Sequence, residues 1–201
     1  MTPHIQTISG EMIPLASPEP HHIRLPEIAL ALSRIPRFNG HTLQPWSVAQ
    51  HSLLVLHLMP DTATPTERLA ALLHDAHEAY IGDITSPVAA AIRGQRDACP
   101  IDGLKTLFNV AIAGALAFDP ALFHHPAIKR ADAYALAIEH KILMATPAKP
   151  WPDLLPPPDD APDLTMQSPE GARGDFLEAA ALLILQRQGI NAVSVEMRNA
   201  A

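Results

Sequence analysis

The nine residues Leu72-Leu73-His74-Asp75-Ala76-His77-Glu78-Ala79-Tyr80 constrain this chain more than any other stretch. They read as helix. Leu69, Leu72, Leu73, Ala76 and Tyr80 recur at the spacing of one helical face when each residue advances about 100°. His74, Asp75 and Glu78 fall on the opposite arc, with only the small Ala70 and Ala71 beside them. An apolar stripe backed by a polar arc ordinarily marks a surface helix with a solvated face. A solvated face gives a His-Asp pair no chemistry. The pair acquires a role only if other segments bring further ligands to it, and the rest of the chain offers them.

A chain of 201 residues is long enough for one domain with a real core. With 48% hydrophobic and 17% charged residues, the composition is globular. Alanine and leucine abound while aromatics are only 4%, so mostly helix is expected. The formal net charge of -7 argues against broad binding to nucleic acid or to an anionic membrane, and leaves room for a local basic pocket. Cys99 is the single cysteine, so no intrachain disulfide is available and a reducing interior fits. No apolar run reaches membrane-spanning length, and the start lacks a basic segment followed by an apolar one. The cytoplasm is the expected location.

Residues 1–24 hold four prolines and little periodicity, and read as an extended lead-in with a short hairpin around Gln6 to Ile13. His4, His21 and His22 have no ligand spacing beside them and read as loop residues. A helix is expected from about Pro26 to Ile35, stopped by Pro36. The loop Arg37-Phe38-Asn39-Gly40-His41-Thr42 joins a cation and an aromatic to a turn-making Asn-Gly. A second helix starts near Ser47 and runs to Met59. It carries His51 among apolar residues, where a lone histidine is more often a hydrogen-bonded core residue than a ligand. Thr64, Pro65 and Glu67 form a capping-box start for a helix running unbroken to about Tyr80, with Gly82 to end it. A short helix follows from Ser86 to about Arg93. An alanine-rich helix over about Ile101 to Ala117 reads as buried. The next, from about Pro126 to Met144, carries Asp132 among small residues, where another helix can approach. A buried carboxylate there calls for a cation, a metal or a hydrogen-bond cage. Residues 146–169 hold eight prolines and read as a semi-extended connector over the surface. A last helix spans about Pro169 to Arg187, with Phe176, Ala179, Ala180, Leu183 and Ile184 on its apolar face and a frayed end beyond.

His51, His74, Asp75 and Asp132 offer two imidazoles and two carboxylates from three helices. Such a mixed N/O set suits one divalent transition metal: Co, Mn, Zn, Fe or Ni. An ion so held keeps open positions and can bring the pKa of water down to about 7. Glu78, one turn after His74, is placed to orient a water or shuttle a proton.

These residues carry a resemblance. The order His51, His74-Asp75, Asp132 is similar to the HD-domain phosphohydrolases, which are all-α and metal-dependent. Arg37-Phe38-Asn39-Gly40-His41-Thr42, Ser47 to Ser52, Leu73 to Ile84 and Lys129-Arg130-Ala131-Asp132 resemble the branch acting on deoxynucleotides. That branch includes 5′-deoxynucleotidases and phage dATP triphosphohydrolases, and the Arg-Phe-Asn-Gly-His-Thr loop leans to the phage type. The likeness covers roughly residues 25–145. It implies an all-α helical bundle of about six to seven helices. It divides the chain into a lead-in over 1–24, the HD core over 25–145, the connector over 146–169 and a C-terminal helix over 170–201 packing on the core. The implied roles are metal binding by His51, His74, Asp75 and Asp132, and positioning of water or acid/base work by Glu78. Asp83 would support the same chemistry, with substrate contacts from Arg37, Phe38 and Lys129. Mg can accompany the nucleotide. The implied partner is a small-molecule deoxynucleotide, with no nucleic acid and no membrane, and the expected assembly is a homo-oligomer. Release of triphosphate from a dNTP is the leading expectation, and release of orthophosphate from a dNMP the alternative. A different class, a non-catalytic nucleotide-binding module, would keep the fold without turnover. One departure stands out. Relatives often carry a lysine where this chain has Ala89, which weakens the triphosphate reading unless Arg93, one turn on, substitutes.

Overall fold

The computed structural model describes residues 2–94, 96–97 and 99–190. Residues 191–201, with the expected frayed end and the tail of the 170–201 segment, lie outside them. The described chain is mostly helical, with one small two-stranded sheet.

The chain opens with an antiparallel hairpin, β1 (His4–Gln6) and β2 (Met12–Pro14), in the register Ile5 opposite Ile13. Ile13 is fully buried, so this segment closes part of the core and is more than a lead-in. Helix α1 (Leu25–Leu32) follows, starting one residue before the expected Pro26 and ending three before Ile35. Helix α2 (Val48–His57) starts on a capping box: Ser47 Oγ accepts from the Gln50 amide, and the Gln50 side chain accepts from the Ser47 amide. The same device with Thr64 and Glu67 starts α3 (Pro65–Leu72), satisfying orphan amides of a first turn.

Here the structure departs from the expected long helix. The chain leaves α-geometry at Leu73 and resumes it only in the short α4 (Glu78–Ile81). Between them the amides of Ala76, Glu78 and Ala79 bond three residues back instead of four, a tighter winding than the α-helix. The apolar stripe survives the break, with Leu69, Leu72, Leu73, Ala76 and Tyr80 all buried. Packing of that stripe, not helical propensity, holds the segment in place.

Helix α5 (Ser86–Arg93) and helix α6 (Pro100–Ala115) follow. Helix α6 is not wholly buried as its composition suggests. Phe108, Ala111 and Ile112 face inward, while Leu107 and Val110 are 41% and 52% exposed. At Gly114 a Cβ would stand 2.9 Å from Pro20 Cγ, so a side chain there would push away the turn at Pro20–His22. Helix α7 (Pro126–Leu143) and helix α8 (Pro169–Arg187) complete the set.

One apolar cluster joins Ile13, α1, α3, α6 and α8 around Phe176. The other joins α2, α3 and α7 around Val55, Ala70, Ala135 and Ile138. Helix α3 serves both, and α8 packs against α1, α2 and α3. The C-terminal helix is therefore a central element of the core. Among the described residues no helix is long and apolar enough to cross a membrane.

Candidate metal centre

The tight turn after α3 carries His74 and Asp75. Helix α2 brings His51 to the same point. Helix α7 brings Asp132, because the small, buried Ala131 and Ala135 let it lie close to α2. His51 Nε2 stands 3.3 Å from His74 Nε2, 3.5 Å from Asp75 Oδ2 and 3.2 Å from Asp132 Oδ1. His74 Nε2 stands 3.1 Å from Asp75 Oδ2 and 3.9 Å from Asp132 Oδ1. Four ligands about 2.1 Å from one ion lie roughly 3.0–3.4 Å from each other. The His51–His74, His51–Asp132 and His74–Asp75 distances match those edges, His51–Asp75 is near them, and His74–Asp132 is long. His51, His74 and Asp132 could hold a metal ion, with Asp75 beside them; Asp75, His77 and Glu78 form a second group of donors within 4.8 Å.

The ring orientations support that fit. His51 Nδ1 donates to Glu139 Oε1 at 2.9 Å, and His74 Nδ1 donates to the Ala71 carbonyl at 2.9 Å. With both Nδ1 atoms committed, the two Nε2 atoms face the shared point, the arrangement in which metal-binding histidines are usually held. Glu139 also accepts from Trp46 Nε1 at 2.7 Å and from Arg37 at 3.2 Å, and is fully buried. Sequence reading missed Glu139. The signal was present: it lies seven residues, two helical turns, after Asp132 and so on the same face.

Asp132 is not the buried carboxylate expected. Its side chain is 47% exposed, whereas that of His51 is fully buried. The cluster is closed on the His51 side and open on the Asp132 side.

Taking the protein groups alone, burial and the Arg37 charge pull His51 down, but Glu139 and Asp132 outweigh them and hold its imidazole up to about 10. Burial opposes the ionised forms of Asp75, Asp132 and Glu139, yet the neighbouring histidines hold all three below the usual carboxylate range. Glu78 differs. Burial first, then the charges of Asp75 and Asp83, push it up to about 10. Its Oε2 is shielded and has no hydrogen-bond partner. Asp83 is raised as well, chiefly by burial.

Arg37 lies inside this arrangement, 3.2 Å from Glu139 and 3.8 Å from Asp83. The loop that carries it is pinned at its base, with the Arg37 amide donating to Trp46 O and the Val48 amide to Ile35 O. Phe38 and Asn39 both adopt left-handed backbone, φ 54° and 52°. That is an uncommon state for non-glycine residues, and for an aromatic it marks an imposed conformation. The turn places the Phe38 ring 5.2 Å from the Arg37 guanidinium.

The structure thus joins His51, His74, Asp75, Asp132 and Glu78, with Asp83 and Arg37 adjoining and Phe38 one step outward. Lys129, on the first turn of α7 and one turn before Asp132, is exposed and makes no ion pair among the described residues. Arg93 does not reach the cluster: its guanidinium pairs with Asp102 on α6 at 3.5 Å.

A mostly helical protein with a mixed histidine–carboxylate cluster is the class that fold and site define. No family model matches the chain. An uncharacterized protein of Rhodobacter capsulatus is 45% identical over 91 residues, which cover 42% of this chain and 46% of that protein. The match thus spans just under half of that relative's length. The uncharacterized protein YfdR of Escherichia coli is 30% identical over 150 residues, 75% of this chain and 78% of its own length. The chain belongs to the YfdR family.

Proposed function

We propose that this protein is a metal-dependent phosphohydrolase of deoxynucleotides with an HD-domain fold. The observation that carries the reading is the convergence of His51, His74 and Asp132, whose donor atoms lie 3.2–3.9 Å apart, with Asp75 within 3.5 Å of both histidines. A divalent ion held there supplies Lewis-acid charge stabilisation and eases the deprotonation of water.

The remaining work falls to the chain's own residues. Arg37, oriented by Glu139 and Asp83, binds phosphoryl oxygens, and a guanidinium suits that task through its fork of donors. Glu78, pushed up by burial and the nearby carboxylates and with an Oε2 that has no protein partner, is placed to carry a proton to the departing oxygen. Asp83 keeps the carboxylate field around Glu78 and so keeps that proton in place. The burial of His51 and Glu139 excludes water from behind the cluster, while the exposed edge at Asp132 admits substrate. The oxygen of water bonds to the α-phosphorus, the bond to O5′ breaks, and O5′ leaves as the nucleoside hydroxyl.

Release of triphosphate from a dNTP is the first form of this reaction, and release of orthophosphate from a dNMP the second. Both break the same bond and differ in the number of phosphates behind it. The second is favoured by Ala89 and by the commitment of Arg93 to Asp102, which leave few cations for a long phosphate chain. The test is a panel of deoxynucleoside mono-, di- and triphosphates with Mn, Co or Mg, read by the phosphate product. Turnover that survives Asp75→Ala overturns the proposal, and metal binding without turnover leaves only a nucleotide-binding module.

A further inference from the structure

The connector does more than span the gap between α7 and α8. It is tied down at its far end, where Gln50 Nε2 donates to Thr165 O at 3.2 Å and Ala161 and Leu164 pack on the α2–α7 cluster. At its near end Trp151 lies against the site. Its ring centroid is 6.2 Å from that of Phe38 and 4.6 Å from that of His140. His140 follows Glu139 directly on α7. Its Nε2 is shielded from solvent and has no hydrogen-bond partner.

Three features argue against a simple hydrophobic anchor. The rings meet at 60° and 59°, so none covers another face to face, and Trp151 and Phe38 are both only partly buried. Trp151 stands between Pro150 and Pro152, whose fixed backbone angles hold it stiffly. Phe38, across from it, is held in left-handed backbone, a conformation that packing alone does not require. Arg37 then links the rings to the cluster: it donates to Glu139, which holds His51, and its guanidinium lies 5.2 Å from the Phe38 ring.

Resting on the phosphohydrolase reading, we infer that Trp151, with Phe38 and His140, forms the subsite for the planar heteroaromatic base of the substrate, the connector being its outer wall. A base stacks on an aromatic face in a sequence-tolerant way. The shielded His140 Nε2 adds one polar atom beside that face. Specificity for the base then comes from a segment outside the core that carries the phosphate chemistry.

The experiment uses the full chain. Each of the four deoxynucleoside 5′-monophosphates is titrated by calorimetry and by tryptophan emission, with deoxyribose 5-phosphate as the base-free control. Wild type, Trp151→Leu and Trp151→Phe are compared, with melting temperatures confirming that each variant folds. At least one nucleotide should quench wild-type emission, and the quench should vanish in Trp151→Leu, in which only the buried Trp46 remains. Nucleotide affinity should fall about tenfold in that variant, the loss expected of one stacked base, and recover to within a few-fold in Trp151→Phe. Affinity for deoxyribose 5-phosphate should not move. Equal loss for nucleotide and sugar phosphate, or none for either, overturns the inference and makes Trp151 a strap. Nucleotide binding without hydrolysis removes the proposed reaction but keeps the subsite. Binding of neither ligand to wild type overturns both.

Discussion

Glu139→Gln tests how the cluster is held. The carboxylate answers three donors at once: Oε1 takes His51 Nδ1 and Trp46 Nε1, and Oε2 takes Arg37. Glutamine has the same shape but only one oxygen. Turned either way, its amide sets N–H groups against donors. With the amide nitrogen toward Arg37, the guanidinium loses its counter-charge. With the nitrogen toward His51, the ring loses the acceptor that keeps its Nε2 aimed at the shared point. Replacing such a supporting group typically lowers metal affinity 10–100-fold, about 1.4–2.7 kcal/mol. The mostly buried Arg37 keeps only Asp83, at 3.8 Å, so stability also falls. Breaking a buried pair costs about 3–5 kcal/mol, and the low end, about 3 kcal/mol, applies here because one partner remains. Dissociation constants for Mn or Zn, measured by competition with a chelator, give the first quantity; urea unfolding after metal removal gives the second. A Glu139→Gln protein that binds metal within about twofold of wild type, beside a His51→Ala protein that binds none, would refute the orienting role.

Three further outcomes follow from the same geometry. Glu78 is pushed up to about 10 in the fold from 4.5 in the free side chain, so between these values the unfolded state binds fewer protons. Its stabilising contribution is therefore complete below about pH 4.5 and lost as pH rises through about 10. In chelator-treated protein Glu78→Gln should melt above wild type at pH 8 and alike near pH 5 while losing turnover; equal melting at both values refutes the shift. His51 and His74 are both raised above 6.5, so metal uptake at pH 7 should release protons, seen as a binding enthalpy that changes with the ionisation enthalpy of the buffer; a buffer-independent enthalpy contradicts it. Phe176→Ala removes a fully buried ring from α8 and should cost about 3–5 kcal/mol in urea unfolding, whereas a cost under about 1 kcal/mol would show that α8 is dispensable.

What the sequence revealed was local. Thr64-Pro65 announces a helix start because capping is settled within four residues, and Ser86-Pro87 and Pro169 because proline suits a first helical turn; the structure begins α3, α5 and α8 there. Of the four metal-ligand candidates, His51, His74 and Asp132 fall in one group of donors and Asp75 stands beside His51 and His74. What stayed hidden depends on tertiary contact. The apolar stripe from Leu69 to Tyr80 is continuous through the α3–α4 break, so periodicity alone cannot show it. Asp132 looks enclosed because its helix neighbours are small, but no element covers its outer side. Trp151 sits among prolines, where composition suggests a spacer, and only the fold brings it beside Phe38.

The placement of α8 has a consequence for synthesis. Every ligand of the cluster is translated by Asp132, and their support by Glu139, but the helix that packs α1, α2 and α3 together begins only at Pro169. A nascent chain leaving the ribosome therefore carries all its metal donors for some fifty residues before the scaffold that fixes them can close. Translation at about 5–20 residues per second makes that a delay of seconds, during which loose histidines and carboxylates are open to the wrong ion or to a chaperone. Under the metal-dependent reading proposed above, metal loading follows the docking of α8.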